Sequence, residues 1–382
     1  MTIFGKGVIS ITIMMALDIN KLFACGDLEG KTIGDWKVIK KFAAPDKSKG
    51  ESGGNFSVCY EVERDGKRAF MKVLDYVKIT ITPGIPPERR SEFIQSATEQ
   101  FNYEKRLSEY CQNRRVSKVV FFIDSGDVEL SGYYLNGTVS YIVYELADGD
   151  VRKVFDFSKK VELSARINSL STKLRSLHDV SVGLNQLHSN EISHQDIKPS
   201  NVLSFTGESK IGDLGRSLCF DDDIKCPYPM RFNGDRNYAA PEIFFSDFLG
   251  SKESLYQVDN YMLGGLVTFY ITSVSFNQLL NSHLPDELKI VPRNHHSESY
   301  AQYLPDMINA YQKALKDVEN DIPLDSVKEG IIRIISYLCN PDPNRRGHPR
   351  NLVSLTPNYD LQRTIQELDV LQKKAELAIT RQ

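Results

Sequence analysis

Apolar and polar residues alternate in short runs over roughly the first 150 positions and recur at three- and four-residue steps beyond them. This pattern predicts a strand-rich part followed by a helix-rich part. Residues 33 to 42, IGDWKVIKKF, read as a first strand. The glycine-bearing stretch GESGGNFSVCYEV, 50 to 62, reads as a turn at Gly50, Gly53 and Gly54 leading into a second strand near Val58. RAFMKVL (68 to 74), VVFFID (119 to 124) and YIVYELAD (141 to 148) complete a small antiparallel sheet of five strands, the last two joined by a polar, glycine-bearing connection. Between them, 75 to 90 carries Pro83, Pro86 and Pro87 and reads as a loop. Residues 91 to 112 place Phe93, Ala97, Phe101 and Leu107 along one helical face.

From Asp150 the period is helical: Ile167, Leu170, Leu174, Leu177, Leu184 and Leu187 mark one long helix. VLSF and SKIGD, 202 to 205 and 209 to 213, read as a hairpin around Gly207. YITSVSFNQLL, PDMINAYQKAL and GIIRIISYLC continue the helices. A last one carries Leu361, Ile365, Leu368, Ala375 and Ile379 in a stripe that either packs on the lobe or recruits a partner, packing being favoured.

Composition adds bounds. With 382 residues, 41% hydrophobic and 25% charged, the chain has the makeup of a soluble globular protein large enough for two lobes. A formal net charge of -3 gives no overall reason to expect nucleic acid or an anionic membrane as partner. The six cysteines form no CxxC pair, which argues against a zinc site or disulfide framework and fits a reducing cytosol, so a cytoplasmic location is expected. VISITIMMAL, 8 to 17, is too short to span a bilayer, and Asp18 and Lys21 interrupt any lipid-attachment pattern ending at Cys25. His295 and His296 have no accompanying ligand pattern and read as a solvated loop.

Three places carry chemistry. Lys72 lies in an otherwise apolar strand, where its desolvation is costly unless its head snorkels to solvent or meets an anion; Glu99, Glu104 and Glu109 on the following helix are candidates. HQDIKPSNV, 194 to 202, holds Asp196, Lys198 and Asn201 at a spacing that lets one loop aim a carboxylate at a hydroxyl, an ammonium at a phosphate and an amide at a metal ion. Asp213 follows, a second oxygen ligand suited to a hard cation such as Mg²⁺.

HQDIKPSN resembles the catalytic loop of protein kinases, H-R-D-x-K-x-x-N, at His194, Asp196, Lys198 and Asn201, with Gln195 in the arginine place. The rest of the resemblance runs in the family's order over residues 33 to 350. Gly54 to Cys59 is similar to G-x-F-[GS]-x-V, and A-F-M-K at 69 to 72 to V-A-I-K. NYEKRLSEY is similar to the helix segment whose glutamate pairs with that lysine, which selects Glu104 and leaves Ser108 where a large apolar residue is usual. Asp213-Leu214-Gly215 resembles D-F-G. GDRNYAAPE resembles G-T-x-x-Y-x-A-P-E with Asp235 in the threonine place, and VDNYMLGG resembles the start of the central helix.

The resemblance implies an α+β, two-lobed protein kinase-like fold: a small five-stranded lobe with one helix (30–148) and a larger, mainly helical lobe (149–350). An extension (1–29) and a C-terminal helical tail (351–382) flank them. It implies an ATP- and Mg²⁺-dependent (or Mn²⁺-dependent) transfer to a hydroxyl of a protein substrate, serine or threonine because Lys198 follows Asp196 by two, with autophosphorylation. Asp196 would be the base and Lys198 would neutralise the moving phosphoryl, with Lys72 and Glu104 anchoring the other phosphates. Asn201 and Asp213 would hold the metal. Gly53, Gly54, Phe56, Ser57, Cys59, Ala69, Lys72 and Leu203 would surround the nucleotide, Glu145 and Ala147 would offer backbone to adenine, and Tyr144 would guard the rear pocket. Asp259 would brace the catalytic loop, its bland alternative being a helix N-cap, and Arg346, or Arg345, would partner Glu242. In the threonine place, Asp235 would repel Asp196 unless a cation sits between them, and Gln195 removes the cation that would clasp a phosphorylated activation segment. A small-molecule phosphotransferase would lack the APE segment and its arginine, and a pseudokinase would lack one of Lys72, Asp196, Asn201 and Asp213.

Overall fold

The computed structural model describes residues 21–43, 56–81, 84–157, 162–290 and 296–380. Gly50, Gly53 and Gly54, the apolar run at 8 to 17, Pro83 and His295 lie outside them. The chain forms two compact units, Met1–Lys105 with Phe121–Leu146, and Arg106–Val120 with Ala147–Gln382.

The first unit is built on a six-stranded antiparallel sheet, not five. Its strands are β1 (Thr32–Ile33), β2 (Trp36–Lys41), β3 (Ser57–Arg64), β4 (Lys67–Leu74), β5 (Phe122–Glu129) and β6 (Thr138–Glu145), in the order β1-β2-β3-β4-β6-β5. The extra strand arises because Gly34, at φ +56°, folds Thr32–Ile33 back onto Trp36–Lys37. One face of the sheet buries Tyr60, Val62, Ala69, Met71, Val73, Val139, Tyr141 and Val143 against Leu22, Phe23, Ala24, Cys25 and Leu28. The segment set apart as an extension thus contributes to this core from Leu22 onward. Cys25 is fully buried there and its carbonyl accepts the Tyr60 hydroxyl at 2.8 Å.

Two helices cover the other face. The region expected to be a loop contains helix α1 (Tyr76–Ile81), because Asp75 caps it by accepting the Lys78 N–H at 3.0 Å and the helix-breaking prolines lie beyond its end. Helix α2 (Arg90–Asn113) buries Ala97 and Phe101 against Leu74, Phe122 and Ile142, then passes into the second unit from Arg106. Strands β5 and β6 run further into the polar connection than the hydrophobic pattern foretold, since β5 is an edge strand with one face toward solvent. Val119 and Val120 fall outside the sheet; Val120 instead donates its N–H to Ile211 in the second unit's fold, at 2.9 Å.

The second unit contains β7 (Gly149–Asp150), α3 (Val151–Val154), the long helix α4 (Leu163–Ser189), β8 (Ile192–Ser193), the hairpin β9 (Val202–Phe205) and β10 (Glu208–Ile211), and β11 (Leu218–Cys219). Helices α5 (Lys252–Thr272), α6 (Phe276–Ser282), α7 (Tyr300–Asp321), α8 (Asp325–Leu338), α9 (Pro349–Leu352) and α10 (Gln362–Thr380) follow. The hairpin turns at Gly207, φ +86°. Helix α5 is buried along almost its whole length and starts at a capping box made by Ser251 and Ser254, so Asp259 is not its N-cap. The terminal helix α10 packs on α4 and α8 through Thr364, Leu368, Leu371 and Ala375, with Ile365 and Ile379 only half-buried. Gly330 of α8 permits this: a Cβ there would come within 2.5 Å of Leu371. Among the described residues no single helix is long and apolar enough to cross a membrane.

Candidate active site

In the first unit the two-residue period of β4 decides which side chains point where. Lys72, on the face opposite Met71 and Val73, meets α2, and its Nζ donates to both oxygens of Glu104 at 2.6 and 2.8 Å. Both residues are buried, so the lysine is paired rather than snorkelling, and Glu99 and Glu109 stay exposed. The Tyr144 hydroxyl also points to Glu104, at a long 3.4 Å. Cys59 lies opposite Lys72 in register and so shares its face.

Ala69 does not. Three residues before Lys72, it faces the far core with Met71 and is 1% exposed, so its expected place beside a nucleotide is corrected. The residue on the Lys72 face is Phe70, two positions away, which packs at 5.6 Å on the ring of Phe42. Counting parity along the strand would have found it. Phe56 turns its ring edge-on to Phe93 at 5.3 Å, and Ser57 pairs across the sheet with Leu74. The Glu145 N–H donates to the Phe121 carbonyl at 3.0 Å, so that donor is already engaged within the sheet's own unit.

In the second unit the catalytic-loop residues converge. Asp259 is fully buried and accepts four donors: the N–H groups of His194 and Gln195 at 2.8 and 2.7 Å, the Ser193 hydroxyl at 2.9 Å and His188 Nε2 at 3.0 Å. The loop bends at Gln195, which is held at φ +64°, a conformation costly for a non-glycine residue. His194 Nδ1 accepts the Asp196 N–H at 3.2 Å, leaving Nε2 to donate to the Gly212 carbonyl at 3.2 Å.

Asp196 is 3% exposed. Lys198 Nζ donates to its two oxygens at 3.1 and 3.0 Å, Asn201 Nδ2 to Oδ2 at 2.9 Å, and the Asp235 N–H to Oδ1 at 3.0 Å. Burial pushes the Asp196 carboxyl above the ordinary carboxylate range; Lys198 opposes that shift and the charge of Asp213 adds to it. Burial pulls Lys198 down, but Asp196 and Asp235 together hold its ammonium above the usual lysine value. Lys198 also lies 3.3 Å from Asp235 Oδ2, supplying the cation between two carboxylates that would otherwise repel.

The hairpin β9–β10 sets the metal-ligand candidates. Gly212 N–H donates to the Asn201 carbonyl at 2.8 Å, bringing the neighbouring Asp213, at φ +61° and exposed, beside Asn201. The Asn201 amide nitrogen is engaged by the Asp196 carbonyl and carboxylate, both at 2.9 Å, and its oxygen accepts the Ser200 hydroxyl at 3.3 Å. One carboxylate and one amide oxygen fit a hard divalent cation that takes its other ligands from water and phosphate. Leu203 is half-buried beside Gly212, and Ala147 belongs to the same unit. Arg346, not the exposed Arg345, meets Glu242 at 2.6 and 2.9 Å. His296 stacks at 4.5 Å on Phe245. Among the described residues no cluster of His, Cys, Asp or Glu could hold a metal by itself.

This arrangement belongs to a known family. The protein kinase domain model matches residues 125–355, more than half of the chain, and the chain belongs to the protein kinase family. The match begins after Lys72 and Glu104. Similar curated proteins include mitogen-activated protein kinase kinase kinase 8 of Rattus norvegicus, 27% identical over 190 residues covering 49% of this chain and 35% of that protein. A probable cyclin-dependent kinase 8 of Dictyostelium discoideum is 29% identical over 141 residues, 35% of this chain and 34% of that protein. Cyclin-dependent kinase G1 of Arabidopsis thaliana is 34% identical over 125 residues, 32% of this chain and 18% of that protein. The matched region thus spans about a third or less of these relatives' lengths.

Proposed function

We propose that the chain is an ATP- and Mg²⁺-dependent protein kinase that transfers the γ-phosphoryl group to a serine or threonine hydroxyl, on other proteins and on itself. The observation that carries this reading is the buried Asp196, held by Lys198, Asn201 and the Asp235 N–H while a raised pKa strengthens it as a base. Asp196 orients the acceptor hydroxyl and takes its proton as the hydroxyl oxygen bonds to phosphorus and the bond to the β-phosphate oxygen of the leaving ADP breaks. Lys198 neutralises the moving phosphoryl, and Lys72, oriented by Glu104, holds the remaining phosphates. Mg²⁺ or Mn²⁺, held by Asn201 and Asp213, supplies neutralisation of phosphate charge when bound. Each such electrostatic contact is worth on the order of a hundredfold in rate.

The pairing of Lys72 and the presence of every charged group argue against a pseudokinase, and the buried Glu242–Arg346 pair behind the APE segment argues against a small-molecule phosphotransferase. The test is incubation of the purified chain with labelled ATP and Mg²⁺ and a generic protein substrate, followed by phosphoamino-acid analysis. Phosphoserine or phosphothreonine is the expected product. Label on tyrosine alone would overturn the acceptor assignment, and no label on either protein would overturn the activity.

A further inference from the structure

Gln195 is completely buried, yet only half of its side-chain amide is used. Its Oε1 accepts the backbone N–H of Asn233 at 2.8 Å, while its Nε2 has no partner among the described residues. Burying an unpartnered amide nitrogen is unfavourable, and a shape-matched apolar side chain would avoid it. What the position gains from glutamine is therefore the oxygen. The oxygen's target lies two residues before Asp235, whose N–H donates to Asp196 and whose carboxylate faces Lys198. Between them, Gly234 passes so close that a Cβ would sit 1.6 Å from the Gln195 carbonyl oxygen, and Arg216 donates to the Asn233 carbonyl from the other side. The Tyr228 hydroxyl ties the same segment to the Gly215 carbonyl.

We infer that Gln195 is a positioning residue: its Oε1 clasps the backbone at Asn233 and thereby holds the Asp235 N–H on the Asp196 carboxylate. The clasp uses a neutral amide and a main-chain donor, so it is built into the chain and needs no added group. The inference rests on the kinase reading for its effect on rate, but not for the clasp itself. Without the clasp the Asp235 N–H is no longer held on the carboxylate, and Asp196 loses one of the donors that orient it.

The test uses the full chain carrying Gln195→Met, which keeps length and removes the acceptor, and Asn233→Pro, which removes the donor and leaves Gln195 intact. In both, the amide proton of Asp235 should lose its exchange protection, and kcat should fall by about tenfold to a hundredfold with KM for ATP unchanged. The double variant should be no worse than either single one. Unchanged exchange at Asp235 in both variants would overturn the clasp, whether or not the chain transfers phosphate. Lost protection with wild-type kcat would overturn the positioning role. A wild-type chain that labels nothing would instead refute the kinase reading, with the exchange rates still deciding the clasp.

Discussion

Asp196 and Asp259 are both buried aspartates, Asp196 with three donors and Asp259 with four, and they do opposite work. Every donor on Asp259 belongs to the frame: two loop N–H groups, a serine hydroxyl and a histidine. Asp196 sits at the end of that frame, and its partners include a lysine shared with Asp235 and an amide whose oxygen is a metal-ligand candidate. One carboxylate makes the loop's shape, the other is what the shape presents. Burial alone does not distinguish them; the identity of the donors does.

This contrast can be broken in graded ways. The largest effect should come from removing divalent metal: excess EDTA should abolish labelling by the wild-type chain while its thermal midpoint stays within a few degrees, because Asp259 is braced by four donors of the protein itself. Next, Asp259→Ala should destabilise the second unit by about 3 kcal/mol or more, since it strands several buried donors at once, and calorimetry should show that loss. A stable Asp259→Ala chain with normal activity would erase the distinction.

A smaller effect lies in pH. Burial raises the Asp196 carboxyl above its ordinary 3.8, so the rate should fall, on acidification, at a higher pH than an unperturbed carboxylate gives. The sign for stability is opposite: across the window from 3.8 up to the raised value the native chain binds more proton than the unfolded one, so Asp196's contribution to stability declines as pH rises. Activity and stability measured over that window should move apart. The smallest effect concerns thiols. Burial pushes Cys111 up to about 12 and Cys219 up to about 11, so in the native chain a thiolate-selective reagent should modify the half-buried Cys226 well before either. Equal rates at all three would show that this part of the second unit is open.

The two units also differ in how legible they were. The second announced itself because its chemistry is local: Asp196, Lys198 and Asn201 share one loop, and Asp213 follows after a short hairpin, so spacing alone brought them together. Glu104 and Arg346 were read correctly over long separations only because the resemblance supplied the pairing. Where position depends on parity, the resemblance misled: Ala69 and Phe70 differ by one residue, and that one step moves a side chain to the other face of the sheet. Helix Tyr76–Ile81 was hidden because prolines nearby outweighed the Asp75 cap, and the role of residues 22–28 in the first core was hidden because nothing local marks a segment that packs on a sheet built later in the chain. The Gln195–Asn233 contact had no sequence signal beyond the departure itself; only the backbone's return past Gly234 shows what the glutamine reaches.

The most direct measurement is labelled-phosphate transfer by Asp196→Asn beside the wild-type chain, with nucleotide affinity and thermal midpoint recorded on the same samples. The account predicts a rate lower by roughly a hundredfold to ten-thousandfold with nucleotide binding and midpoint close to wild type. Wild-type transfer by Asp196→Asn would contradict it.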